Sequence, residues 1–222
     1  MTEPHGLTGV PDVGAFLARL TRLDPGAVVR LRAVGADRTV LWGRLPWAVL
    51  VGRAVAGAGP ADATVGAAEL LAEVARGGAA LPARRDQQWR WPLPPPAGPV
   101  VETVSAAEVR QVAEAAAGTL RTAATEGVGG RAVGQRMLRD ALLDHVAVVV
   151  TGPGVGRIEV PQRLVQAIVR MGFLGPAEEA GEVPVHVRIA GRWIGLSAPY
   201  GVAWLPPVST LAVRMAGTRP NG

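Results

Sequence analysis

Apolar residues at Val13, Phe16, Leu17 and Leu20 recur every three or four positions, which predicts a short amphipathic helix capped by Asp12 and broken by Asp24-Pro25-Gly26. The period then falls to two. Val29, Leu31 and Ala33 alternate with Arg30 and Arg32, Gly35-Ala36-Asp37 supplies a turn, and 39–45 and 47–55 read as two further strands around Pro46. A second helix is expected over 67–76, carrying Leu70, Leu71 and Val74 and stopped by Gly77-Gly78, and 87–91 reads as a strand.

Prolines crowd the stretch from Trp91 to Pro99, a composition that favours an extended chain and excludes helix. Beyond it, Ser105 and Glu108 have capping-box spacing and open a long helix to about residue 126. Gly127-Val128-Gly129-Gly130 ends that helix, and 131–144 forms a second one, with Val133, Met137, Leu138, Ala141 and Leu142 inward, giving a helical hairpin. Strands follow at 146–151 and 157–160, then a helix over 161–171 and a hairpin or meander over 185–189, 192–197 and 202–205. One short echo stands out: Thr64-Val65-Gly66-Ala67-Ala68-Glu69 resembles Thr103-Val104-Ser105-Ala106-Ala107-Glu108, each marking a strand that exits into a helix.

These elements predict an α+β fold of two small domains. An N-terminal β-meander with short helices occupies 1–91, a proline-rich linker 92–99, and a helical hairpin plus β-hairpins in a partly winged-helix-like arrangement 100–207, with 208–222 a flexible tail.

Composition narrows the chemistry. All 23 basic residues are arginine and cysteine is absent. Without lysine there is no phosphate-cradling GxxxxGK[ST] loop, Schiff-base or pyridoxal chemistry, or SxxK serine; without cysteine there is no thiol nucleophile, disulfide or iron–sulfur ligation. Three serines (Ser105, Ser197, Ser209) and three histidines (His5, His145, His186) leave few nucleophile and base pairs. No cofactor or metal is expected. Apolar runs fall short of the roughly 18 residues of a membrane span and no export signal opens the chain, so a cytoplasmic setting without membrane contact is the expectation. Net charge is +5, and residues 127–222 hold ten arginines against six acids.

Several motifs come close to function without completing it. Thr151-Gly152-Pro153-Gly154-Val155-Gly156 follows an apolar strand, yet Arg157 stands where the third glycine of a dinucleotide loop belongs and a strand follows, not a helix. Gly195-Leu196-Ser197-Ala198-Pro199 ends in proline where a nucleophile elbow has glycine. Asp140 and Asp144 lie one helical turn or two from Arg136, and Glu178, Glu179 and Glu182 cluster in a loop; both groups read as solvated charge. The tryptophans fall into the groups Trp42/Trp47, Trp89/Trp91 and Trp193/Trp204, for which core filling outweighs surface stacking.

The positive signal is the helix over 161–171. Leu164, Val165, Ile168 and Met171 form its apolar stripe, while Gln162, Arg163, Gln166 and Arg170 share the opposite face. With Arg157 before it and Arg188 and Arg192 in the hairpin after it, this face predicts a non-catalytic binding surface for nucleic acid or an acidic protein. Two alternatives remain beside it: a structural protein that self-associates through sheet edges or exposed tryptophans, and, least favoured, a small-ligand enzyme pairing Asp or Glu with His145 or His186.

Overall fold

The computed structural model describes residues 3–96, 98–126, 135–152, 156–177 and 183–207. The mixed α and β chain runs α1 (Val10–Leu23), β1 (Val28–Ala33), β2 (Arg38–Arg44), β3 (Leu50–Ala56), β4 (Asp62–Gly66) and α2 (Ala67–Ala75). After the proline-rich stretch come β5 (Val100–Ser105), α3 (Ala106–Glu126), α4 (Gln135–Asp144), β6 (Val146–Gly152), β7 (Gly156–Pro161), α5 (Gln162–Arg170), β8 (Pro184–Ala190), β9 (Trp193–Ala198) and β10 (Gly201–Leu205).

Eight strands form one antiparallel sheet in the order β4-β1-β2-β3-β10-β9-β8-β5, and β6 and β7 make a separate ribbon. β3 and β10 join the sheet's two parts through the pairs Gly52 with Val202, Val51 with Ala203 and Leu50 with Trp204, so strands from both sides of the proline-rich stretch share one ladder. The two echoed segments are β4 leading into α2 and β5 leading into α3, and these strands are the two edges of the sheet.

Strand alternation divides the buried residues between two faces. On one, Val29, Leu31, Leu41, Val51, Val185 and Val187 meet Phe16, Leu17 and Leu20 of α1, Leu70 of α2, Val109 of α3, and Leu164 and Ile168 of α5. On the other, Trp89, Trp193 and Trp204 are buried with Leu50 and Ala190, and Trp42, Trp91 and Leu93 pack against them. The proline-rich stretch therefore lies along the sheet, and the Gly98 carbonyl accepts a hydrogen bond from Nη1 of Arg188 at 2.9 Å.

Three local expectations are corrected. Residues 87–91 are not a strand: Asp86–Gln88 form a 3-10 turn, because Asp86 Oδ1 accepts the Thr64 N–H at 2.7 Å and draws this stretch onto β4. Asp12 does not cap α1; Gly9 holds the N-cap position, and Asp12 sits in the first turn, paired with Arg53 at 2.5 Å. The hairpin of β8 and β9 is no free wing, since β5 and β10 flank it within the sheet. The capping box is present, with the Ser105 N–H donating to Glu108 Oε2 at 2.8 Å and the Glu108 N–H to Ser105 Oγ at 3.2 Å. Residues 127–134 and the 208–222 tail lie outside the described residues. No helix among the described residues is long and apolar enough to cross a membrane.

Candidate anion-binding groove

The apolar stripe of α5 is buried as its periodicity requires: Leu164, Val165, Ile168 and the following Met171 are closed from solvent. Its polar face is not open solvent either. α3 and α4 pack beside it, leaving a groove of about 440 Å³. Gln162, Gln166 and Arg170 form its floor, Leu142 and Leu143 of α4 and Ala117 and Leu120 of α3 line one wall, and Arg22, Leu23, Pro46 and Trp47 the other.

The sequence-derived set of seven separates on this frame. Gln162, expected on an exposed face, is buried at 2% exposure because the α3–α4 pair covers the start of α5. Arg163 is also largely withdrawn: it pairs with the Asp144 carboxylate, and its Nη1 donates to the Trp47 carbonyl at 3.2 Å. Gln166 is half-buried and Arg170 exposed, both on the groove. Arg157 lies on the β6–β7 ribbon, exposed and paired with Glu159 at 3.0 Å. Arg188 alternates with Val185 and Val187 and so faces the tryptophan side of the sheet, held by Gly98, while Arg192 is exposed in the turn between β8 and β9. The structure thus brings Gln162, Gln166 and Arg170 together and leaves Arg157, Arg188 and Arg192 elsewhere.

Sequence reading missed Arg22, which ends α1 and lines the groove with Arg170, and Arg19, whose guanidinium lies where a Cβ on Gly172 would be, 2.6 Å from its Cζ. Among the described residues, none of these three arginines forms an ion pair with a carboxylate. Both Arg22 and Arg170 lie in the last turns of their helices, where the partial negative charge of the helix end favours a cation. The local signal available in sequence was only that terminal position; the convergence is tertiary.

The histidines fall outside this groove. His145 lines a small apolar pocket of about 220 Å³ with Leu120, Ala123 and Leu142. His186 faces Ser197 across β8 and β9, and its Nδ1 meets Thr103 Oγ1 at 3.0 Å. His5 is buried, its Nδ1 accepting the Leu7 N–H at 3.0 Å, which makes it a structural tie for the N-terminal segment. Of the carboxylate groups, Asp140 is exposed on α4, and Glu178, Glu179 and Glu182 lie outside the described residues.

Comparison with known proteins adds fold and family. The chain resembles the DNA polymerase sliding clamp from Pseudomonas aeruginosa with ligand, with a TM-score of 0.55 at 13% identity, over 99% of this chain and 66% of that one. The DNA polymerase III beta subunit from Thermotoga maritima gives 0.53 at 10% over 92% and 64%. A sliding clamp (DNA polymerase III subunit beta) from Bartonella birtlesii bound to griselimycin gives 0.55 at 15% over 97% and 66%. At these identities the likeness is one of fold, and the chain spans at most 66% of the length of these structures. No curated protein matches the sequence. Residues 7–91 match the family model described as Domain of unknown function (DUF8010). A second model, described as Domain of unknown function (DUF8185), matches residues 93–210, and since that is more than half of the sequence the chain belongs to this family.

Proposed function

We propose that this protein is a non-catalytic binding module that receives nucleic acid on its helix side, where Arg19, Arg22 and Arg170 converge. The observation that carries the reading is the pair of guanidinium groups from α1 and α5 on one groove whose lining, among the described residues, contains no carboxylate. A cation with no internal counter-ion keeps its charge available to phosphate, and a guanidinium can grip two phosphate oxygens at once. The sliding-clamp fold is an analogy that favours DNA over other polyanions, since the similar structures are described as DNA polymerase clamps.

Fluorescence anisotropy of a labelled DNA duplex, titrated at a series of salt concentrations, tests this. Affinity should fall steeply with salt, and the double variant R22A/R170A should make the slope of log K against log salt shallower by about 2, since each phosphate contact contributes about 0.9. Failure to bind at low salt, or an unchanged slope in the variant, overturns the reading.

The same proposal takes 1–91 and 100–207 as two sequence modules meeting at 92–99, where the two family matches also meet, with β3 and β10 fastening them. A cytoplasmic setting belongs to it as well. One observation favours self-association as a second reading: among the described residues β5 is hydrogen-bonded in the sheet to β8 alone, with β6 packed nearby but not paired to it, so its other edge keeps backbone groups for a further strand, whereas edge strand β4 is bridged by Arg84. Light scattering decides this, a concentration-independent monomer mass removing it.

A further inference from the structure

Gln162 holds a position that contact with phosphate does not explain. It is the first residue of α5, its backbone N–H is engaged by the His145 carbonyl at 2.8 Å, and its carboxamide nitrogen is buried with no hydrogen-bond partner among the described residues. Most buried polar side-chain atoms in folded proteins are satisfied, so an orphan on the floor of a groove marks a place where a ligand acceptor completes the bond. The same groove combines this donor with Arg22 and Arg170 and with the apolar surfaces of Leu23, Trp47 and Leu143. Its volume of about 440 Å³ lies within the ~300–1,000 Å³ range of small-molecule sites, and a largely apolar wall with few convergent polar groups is their usual make-up.

We propose that the groove between α1, α3, α4 and α5 binds a small amphipathic carboxylate, whose anionic head accepts from Gln162 Nε2 and meets Arg22 and Arg170 while its apolar body lies along Leu23, Trp47 and Leu143. An uncharged apolar molecule would leave both arginines unanswered, and a bare inorganic anion would leave the apolar wall wet. The inference rests on the helix-side reading of Arg22 and Arg170, and adds a ligand body and a donor that a nucleic-acid backbone does not require.

Calorimetric titration of the full chain with octanoate, octan-1-ol and acetate tests the assignment. Octanoate should bind saturably at one site, with octan-1-ol and acetate each at least tenfold weaker. Gln162→Leu removes the orphan donor without changing side-chain bulk greatly, so the variant should melt no lower than the parent and yet lose octanoate affinity at least tenfold. Arg170→Ala, at an exposed position, should weaken octanoate and leave octan-1-ol unchanged. Absence of saturable octanoate binding, equal affinity for octan-1-ol, or an unaltered affinity in both variants overturns the proposal. DNA binding by the unaltered chain separates the two readings: a parent that binds the duplex but shows no saturable octanoate binding ends this inference alone, whereas an Arg170→Ala variant that changes neither ligand ends the helix-side reading with it.

Discussion

Trp47 and Arg163, 116 positions apart, hold each other by two hydrogen bonds: Trp47 Nε1 donates to the Arg163 carbonyl at 3.1 Å, and Arg163 Nη1 donates to the Trp47 carbonyl at 3.2 Å. The turn between β2 and β3 is thereby fastened to the first turn of α5, and Arg163 extends the tie to Asp144 at the end of α4. Trp47→Phe removes one donor and Arg163→Ala the other, so each single change should cost about 1 kcal/mol for the lost bond, before any packing loss. Each bond runs from one side chain to the other residue's backbone carbonyl, which both substitutions leave in place, so the double variant should be destabilised in urea unfolding by about the sum of the singles, about 2 kcal/mol. Single variants as stable as the parent would show that the tie is geometrically present but energetically silent.

The same turn contains Ala48 at φ 66°, a non-glycine residue in left-handed backbone. Its N–H donates to the Leu45 carbonyl at 3.0 Å, and the Leu45 N–H donates to the Val49 carbonyl at 2.8 Å, closing a three-residue hairpin loop over 46–48. Loops of this length pair a turn with a left-handed residue that is usually glycine. An L side chain there costs about 1–2 kcal/mol, of which glycine's greater freedom in the unfolded chain returns a part, so Ala48→Gly should stabilise by about 0.5–1 kcal/mol. The check is a urea midpoint moved upward; a β-branched Ala48→Val change should move it downward.

Local periodicity was enough to read Val13, Phe16, Leu17 and Leu20 as the buried stripe of α1 and to read Ser105 with Glu108 as a capping box, since both are set by neighbours within a turn. It misled at 87–91. There Trp89 and Trp91 alternate with Arg90 as in a strand, but the rings pack edge to face at 5.6 Å in irregular backbone held by Asp86 across to β4. The helical wheel of α5 identified its polar face correctly as a set of residues but could not show what covers it. Gln162 is hidden, and Arg170 finds Arg22, only because α1, α3 and α4 close around that helix, which no spacing along the chain encodes.

On the other face of the sheet, large rings are matched to missing side chains. Trp204 stands directly across from Gly195 in the β9–β10 ladder, and Trp42 directly across from Gly52 between β2 and β3. A Cβ on Gly195 would lie 2.4 Å from the Trp204 ring, and one on Gly52 would lie 2.6 Å from Trp42. Gly195→Ala and Gly52→Ala should therefore destabilise by about 1–3 kcal/mol through overpacking and alter the near-ultraviolet tryptophan dichroism. Gly14→Ala provides the opposite sign: it lies in α1 with open space at the Cβ position, so the change should stabilise by about 0.5–1 kcal/mol. Equal effects at all three glycines would remove the ring-over-glycine account.

A charged network at the β4 edge gives the fold an acid-sensitive component. Arg30 donates to both Asp62 oxygens at 2.7 and 2.6 Å, Arg84 Nε donates to Asp86 at 2.8 Å, and the Thr64 N–H donates to Asp86 at 2.7 Å. The Arg30 hydrogen bond holds the Asp62 carboxyl below the usual aspartate value, and Arg84, followed by the Thr64 N–H, does the same for Asp86. A carboxyl depressed in the folded state binds protons more readily when unfolded. Its stabilising contribution is complete above the ordinary aspartate value of about 3.9, and is lost as the pH falls through the lower folded value. Side chains 45% and 50% exposed are well screened, so each ion pair should contribute only a small part of the stability. Asp62→Asn should lower the urea midpoint at pH 7 and converge with the parent in strong acid. Asp86→Asn keeps an oxygen to accept the Thr64 N–H and should lose less than Asp86→Ala, with the same convergence; a parent-to-variant gap that persists unchanged in strong acid would show that these carboxylates are not what the pH is reading.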